Sequence, residues 1–424
     1  MISDLIYRCP ACQSFKWFQA NRCIHCHASI EVHSRSHISV NNQKETIAYW
    51  YEKVLSFDFP KNDNGEILRS GKVGFAKEAE SGLYKGFEGM TAVFYVREKI
   101  DEGQLTLFKD RLEFIGPKKK TTLPIDSIAS VTIESNTVII VSRQQGPLFF
   151  DFLEESGKKW EDCIKKVVSD FCAPEKILEY FPRIRFAGKS WQRAVASEGR
   201  SNYKVPERKW YAKDYSTFFK VVRHIARFVV SLIFKVRITG AENIPKTGSA
   251  IMLANHLSFL DAIILGMFFP RNIWFMSKNS QLYHWFLFWF LRIAGAFPVR
   301  RYTVDAAAAR NLIRLVNAGH IVGIFPEGER SWDGRMLPFK TGLIRMILAL
   351  DQPIIPVGIS GAYELMPRWT TKIKKVPVHV NIGAPIKFPH IPATEQTEEK
   401  ILETCDQLKA HIVGLMDNTD YSNN

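Results

Sequence analysis

Three features of the sequence predict its fold class. From Ser249 to Ile382, apolar strand-like runs alternate with helical stretches, the pattern of an α/β domain with a mixed sheet flanked by helices. Between Gly71 and Phe152 the pattern changes to short β-rich runs followed by one helical segment, which predicts a small antiparallel β module closed by a terminal helix. Ahead of both, Cys9-Pro-Ala-Cys12 and Cys23-Ile-His-Cys26 form two Cys-x2-Cys pairs ten residues apart. The chain of 424 residues is 46% hydrophobic and 24% charged, which describes folded protein with room for two or three domains.

The cysteine spacing suits tetrahedral zinc, with Cys9, Cys12, Cys23 and Cys26 as ligands and His25 or His27 as substitutes for a thiolate. Residues 1–35 resemble a small zinc ribbon with a short loop. Two disulfides or free thiols are the alternatives, disfavoured in a reducing compartment. The zinc is expected to be structural, the module a staple or docking knob. Residues 36–66 are polar and mixed and are expected to form a linker with one short helix near Lys44 to Leu55.

Strands are expected at Thr91–Val96, Gln104–Phe108, Arg111–Ile115, Ser130–Ile133, Thr137–Val141 and Leu148–Phe152, and a helix at Lys158–Phe171 with Trp160, Ile164, Val167 and Val168 along one face. The run Gly103-x-Leu-x-Leu-x4-Leu-x-Phe114, followed by Leu123-Pro-Ile-Asp-Ser-Ile128, makes residues 67–173 resemble a pleckstrin-homology or GRAM-type barrel. Lys118, Lys119 and Lys120 on a turn either meet phosphates or form a solvated loop.

Prolines and polar residues mark 174–214 as a connector, and 215–424 as the α/β domain. Its first stretch, Tyr215 to Val236, is helical in pattern and carries Lys220, Arg223, Arg227 and Lys235 among apolar and aromatic residues. That composition predicts a helix lying in a membrane interface, a packed core helix being the rival. The net charge of +14 is uneven: Arg200 to Arg310 holds 17 Lys or Arg against 5 Asp or Glu. Such a field attracts polyanions, and the reading favours an anionic membrane surface over nucleic acid. The first residues lack a basic leader and an apolar run, and no stretch reaches about 18 uncharged apolar residues. The expected location is cytoplasmic, peripheral or monotopic on a membrane.

The chemistry centres on Asn255-His256-Leu257-Ser258-Phe259-Leu260-Asp261. His256 is expected at a strand-to-helix turn, with Asp261 about one helical turn on. A carboxylate so placed can fix the imidazole tautomer and leave the other ring nitrogen to take a proton from a hydroxyl. The run resembles the first block of the glycerolipid acyltransferase family. Gly295-Ala-Phe-Pro-Val-Arg-Arg301, Phe325-Pro-Glu-Gly-Glu-Arg-Ser331 and Ile355-Pro-Val-Gly358 resemble the next three, in the family's order, and the resemblance spans roughly Tyr215 to Asp417.

The resemblance implies acyl transfer from a thioester, acyl-CoA or acyl carrier protein, to the hydroxyl of a glycerophosphate-type acceptor. The favoured reaction converts 1-acyl-glycerol-3-phosphate to phosphatidate, with another lysophospholipid or lipid acceptor as the alternative. It implies His256 as general base and Asp261 as its orienter. Arg301, Glu327, Gly328 and Arg330 match acceptor-binding positions, Lys278 matches a Lys common after the second strand, and Lys340 lies in a family-like Phe-Lys-x-Gly. The rival reading for Glu327 is a salt bridge to an Arg, and Ser258 as a covalent nucleophile competes with its reading as a turn residue. Two other classes are weighed. A metal hydrolase built on His256 and Asp261 lacks a third ligand in any local cluster. A noncatalytic adaptor is disfavoured by the intact His–Asp pair. Where the family carries a small hydroxyl residue this chain has Glu329, whose charge is expected to be offset by Arg300, Arg301, Arg330 or Arg335.

Overall fold

The computed structural model describes residues 2–15, 18–19, 21–56, 65–85, 91–172, 225, 227–228, 235–278, 296–300, 305–388 and 396–416. They fall into two compact units, Met1–Glu80 with Tyr95–Pro182 and Ser81–Phe94 with Arg183–Asn424.

In the first unit the cysteine pairs flank a short antiparallel ribbon, β1 (Phe18–Gln19) and β2 (Arg22–Cys23). Strands β3 (Ile30–Val32), β4 (His37–Val40) and β5 (Gln43–Thr46) form an antiparallel sheet, and α1 (Ile47–Leu55) follows. Thr46 caps α1 by accepting the Tyr49 N–H at 3.1 Å, satisfying one of the helix's orphan donors. The helix buries Ile47, Trp50, Tyr51 and Val54, spaced along one face, and Trp50 donates to the Ile38 carbonyl at 3.2 Å. Much of the expected linker 36–66 is therefore packed structure: Ile38 and Val40 point their strand's apolar face at α1, and its alternating pattern is too short to stand out among polar neighbours.

The larger sheet has seven strands in the order β10-β11-β12-β6-β7-β8-β9. These are β6 (Glu66–Lys85), β7 (Thr91–Phe108), β8 (Arg111–Ile115), β9 (Lys120–Pro124), β10 (Ile128–Glu134), β11 (Thr137–Ser142) and β12 (Gly146–Phe152). Two expected strands, Thr91–Val96 and Gln104–Phe108, are one long strand. Within it Asp101 serves the sheet by accepting the Lys118 and Lys119 N–H groups, each at 2.7 Å. Gly103 sits against β8 so closely that a Cβ would lie 2.2 Å from the Ile115 carbonyl oxygen. Helix α2 (Gly157–Cys172) buries Trp160, Cys163, Ile164, Val167 and Val168, the expected face. Charge is buried with it: Lys158 reaches Glu161 at 2.8 Å and Asp162 at 2.7 Å, and Tyr7 and Tyr51 both donate to Asp162, at 3.0 and 2.7 Å. The cysteine module, α1 and α2 thus meet at one hydrogen-bonded carboxylate.

The second unit is the expected α/β domain. Its seven-stranded sheet runs β13-β19-β18-β14-β17-β15-β16. The strands are β13 (Val236–Thr239), β14 (Ala250–Ala254), β15 (Ile273–Lys278), β16 (Phe297–Val299), β17 (Ile321–Ile324), β18 (Ile354–Ser360) and β19 (Val378–Ile382). All neighbours are parallel except β18 and β19, so the sheet is mixed. Strands β14, β17 and β18 are buried throughout, as parallel strands covered on both faces must be. Alternate residues face opposite layers. Ile251 and Leu253 pack with α4 (Ala306–Asn317), α5 (Thr341–Ala349) and α7 (Glu398–Gly414), while Ala250, Met252 and Ala254 pack with α3 (Asp261–Phe268) and α6 (Ala362–Leu365). Two glycines are fixed by close approach: a Cβ on Gly323 would lie 2.5 Å from the Phe275 ring, and one on Gly358 would lie 2.5 Å from the Leu415 backbone. No helix among the described residues is long and apolar enough to cross a membrane.

Candidate active site

Strand β14 lies centrally, with β17 on one side and β18 on the other, so the turns leaving the three strands crowd together at their carboxyl ends. Asn255 ends β14 and ties it to β18, accepting the Ile359 N–H at 2.7 Å and donating to the Ile359 carbonyl at 2.9 Å. His256 comes next, 7% exposed, its ring stacked on Phe325 at 3.9 Å. Its Nδ1 lies 2.9 Å from Asp261 Oδ2. That same oxygen accepts the Leu257 and Ser258 N–H groups, each at 2.7 Å, and Asp261 is 0% exposed. Asp261 therefore does two things at once: it closes the turn between β14 and α3 and it orients the imidazole. A carboxylate with two backbone donors already on Oδ2 has little freedom to turn away, so the histidine is held in one orientation.

Glu327 follows β17 and is 1% exposed. Its Oε1 accepts the His256 N–H at 2.7 Å and its Oε2 accepts the Leu337 N–H at 2.7 Å. Its carboxyl spans two loops through their backbones, a role neither sequence reading contained. Burial pushes it up to about 8, against the pull of the Leu337 and His256 N–H groups, and the charges of Asp261 and Glu329 push the same way. The His256 carbonyl is taken by the Ser331 N–H at 2.8 Å, so both backbone groups of the histidine are pinned to the Glu327–Ser331 turn.

Gly328 has φ +75, and a Cβ there would lie 3.1 Å from Lys340 Cε, so the absence of a side chain lets the Lys340 stem cross the turn. Arg330 is half-buried two residues on, and Lys278 is half-buried at the carboxyl end of β15. Arg301 lies outside the described residues. Ser258 is fully buried with its hydroxyl donated to the Met366 carbonyl at 3.0 Å, the geometry of a turn residue. Glu329 meets an arginine the sequence reading did not name: Arg368 contacts it at 2.5 Å, while Arg335 is engaged with Asp333 at 2.8 Å. Arg368 stands in a polar loop with no motif around it, so nothing local marks it.

The His/Cys/Asp/Glu groups that converge closely enough to hold a metal, among the described residues, are Cys9, Cys12, Cys23 and Cys26, all within 4.8 Å of one another. Sγ of Cys9 and Cys26 are 3.7 Å apart and those of Cys12 and Cys23 are 3.6 Å apart. A ZnS4 tetrahedron with bonds of about 2.3 Å has edges of about 3.8 Å, so the four thiols stand where such a centre requires them and too far apart for disulfides. The Cys12 N–H points at Cys9 Sγ, and the His25 N–H at Cys23 Sγ, at 3.5 and 3.4 Å.

A His–Asp pair buried at the carboxyl end of a central strand has the geometry that a general base acting on a ligand at the strand ends requires. Residues 235–360 match the family model described as Acyltransferase. A 1-acyl-sn-glycerol-3-phosphate acyltransferase of Saccharomyces cerevisiae is 29% identical over 209 residues, 47% of this chain and 65% of that protein. One of Borreliella burgdorferi is 35% identical over 127 residues, 30% of this chain and 51% of that protein. The solved 1-acyl-sn-glycerophosphate acyltransferase of Thermotoga maritima is 27% identical, covering 46% of this chain and 78% of that one, with a TM-score of 0.39. The chain thus spans between about half and two thirds of the length of the first two relatives.

Proposed function

We propose that the chain transfers a fatty acyl group from an acyl thioester to the free hydroxyl of 1-acyl-glycerol-3-phosphate, giving phosphatidate. The relatives' names carry the acceptor, and the single observation that supports the chemistry is the 2.9 Å contact between His256 Nδ1 and a fully buried Asp261. With Nδ1–H donated to Asp261, Nε2 takes the proton of the acceptor hydroxyl as its oxygen attacks the thioester carbonyl. The tetrahedral intermediate collapses with loss of the C–S bond, and the imidazolium returns the proton to the leaving thiolate. Arg330 and Arg301 hold the acceptor phosphate, Lys278 and Lys340 add positive charge around it, and Gly328 keeps the turn open to it. Glu327 supports the reaction from behind by fixing the His256 backbone. The donor is acyl-CoA or acyl carrier protein. The test is transfer of a radiolabelled acyl group from such a thioester to lysophosphatidate by purified protein, lost in His256→Ala.

The N-terminal unit is read as a zinc ribbon and a PH/GRAM-like barrel. Zinc bound by the four cysteines would supply folding energy there and take no part in catalysis. The partner surface is an anionic membrane that delivers the lipid acceptor, with the protein peripheral or monotopic upon it. The basic stretch Tyr215 to Val236 lies mostly outside the described residues, but Ile225 and Phe228 within it are 59% and 64% exposed, as a lipid-facing side would be.

A further inference from the structure

The carboxylate of Glu329 belongs to the same turn as Glu327 and Arg330, between the residue that holds the His256 backbone and the arginine assigned to the acceptor phosphate. Arg368, 39 residues later, meets it. The Arg368 guanidinium contacts Glu329 Oε2 at 2.5 Å, donates to the Arg330 carbonyl at 3.0 Å and lies 4.4 Å over the Trp332 ring. The pair is largely shielded from water, with side chains 8% and 16% exposed, so solvent screens it weakly. The loop that carries Arg368 is itself fastened to the site. Its first residue, Met366, accepts the Ser258 hydroxyl, the Tyr363 hydroxyl donates to the Trp332 carbonyl at 2.8 Å, and the Lys374 N–H closes the loop on the Leu365 carbonyl at 2.9 Å.

We infer that Arg368 is a specificity-determining residue that sets the balance between phosphomonoester and uncharged acceptors by offsetting the charge of Glu329. The inference rests on the acceptor reading given above. An anionic phosphate approaching Arg330 meets a carboxylate on the preceding residue of the same turn. Coulomb repulsion at separations of about 8 Å and an effective dielectric near 20 corresponds to roughly a thirtyfold weakening of binding. A buried cation in contact with that carboxylate removes most of it. A lipid acceptor without a phosphate monoester has no such penalty, so the pair acts on selectivity and leaves the proton transfer at His256 alone.

The test compares wild type with Arg368→Gln, Glu329→Gln, the double variant and Arg368→Lys. Each is followed by calorimetric binding of sn-glycerol 3-phosphate and by KM and kcat for lysophosphatidate, after melting curves have shown which variants are folded. The expected result is a tenfold or greater loss of affinity and rise in KM in Arg368→Gln with kcat little changed. The double variant returns to within about threefold of wild type, and Arg368→Lys, which keeps the charge, stays close to it. A double variant as weak as Arg368→Gln would overturn the inference, because it would reduce Arg368 to a brace for the Arg330 backbone and Trp332. Wild type that binds glycerol phosphate without transferring acyl groups would sink the reaction proposed and leave the charge balance readable in the binding series. Wild type that does neither would end both.

Discussion

Replacing Asp261 separates its two duties. In Asp261→Asn the amide oxygen can take the place of Oδ2 and keep all three hydrogen bonds, from His256 Nδ1 and from the Leu257 and Ser258 N–H groups. The NH2 then falls where Oδ1 now stands, a buried position with no hydrogen-bond partner among the described residues. Stability should drop by about 1–3 kcal/mol for that unsatisfied donor. The imidazolium formed during transfer loses a charged partner for a neutral one, a difference of about 1–2 kcal/mol, so kcat should fall roughly 5- to 30-fold with the tautomer intact. Asp261→Ala removes all three bonds and strands two buried N–H donors at about 1–3 kcal/mol each, with the imidazole left unoriented. For a unit of this size that predicts a melting temperature lower by roughly 5–20 °C, and activity near that of His256→Ala. Thermal melting and steady-state transfer on the same preparations decide the matter. Wild-type stability in Asp261→Ala would show that the turn does not depend on these bonds. Activity in Asp261→Asn as low as in His256→Ala, in a folded protein, would mean that the carboxylate enters the chemistry directly.

Four further outcomes are expected. His256→Ala should abolish transfer in a protein that still folds, because the backbone bonds to Glu327 and Ser331 survive, with some stability lost along with the Asp261 bond and the stacking on Phe325; appreciable turnover would remove the mechanism. Glu327, raised to about 8 from an unfolded value near 4.3, favours the folded state fully below pH ~4.3 and loses that contribution as pH rises through 8. Wild type should therefore lose stability across that window relative to Glu327→Gln, by denaturant midpoints at pH 5 and pH 8.5, and parallel profiles would contradict the burial argument. Metal analysis should find one zinc per chain, and chelation should perturb the near-UV signal of Trp160, because Tyr7 and Tyr51 join the cysteine module to α2 at Asp162, while transfer continues. The protein should pellet with anionic vesicles and be released by salt; failure to pellet at low ionic strength would count against the basic helix as the contact.

The sequence by itself determined the features that repeat along the chain at short range. Alternation of apolar runs with helical ones marked the α/β unit, Trp160, Ile164, Val167 and Val168 marked the buried face of α2, spacing grouped the four cysteines, and spacing together with the family resemblance paired Asp261 with His256. What only the tertiary structure decided depends on pairs far apart in the chain. Strand order brings Glu327 to the His256 backbone across 71 residues and Arg368 to Glu329 across 39, and neither separation leaves a periodic trace. Strands β4 and β5, inside the expected linker, went unread for a related reason, since both are too short for alternation to show and only β4 is buried. Glu327 is the clearest case: the family resemblance implied an acceptor-binding residue, with an arginine salt bridge as the rival, and the fold adds that its two oxygens accept backbone N–H groups from two loops, because a carboxylate shut away from water must be satisfied by whatever donors the fold brings to it.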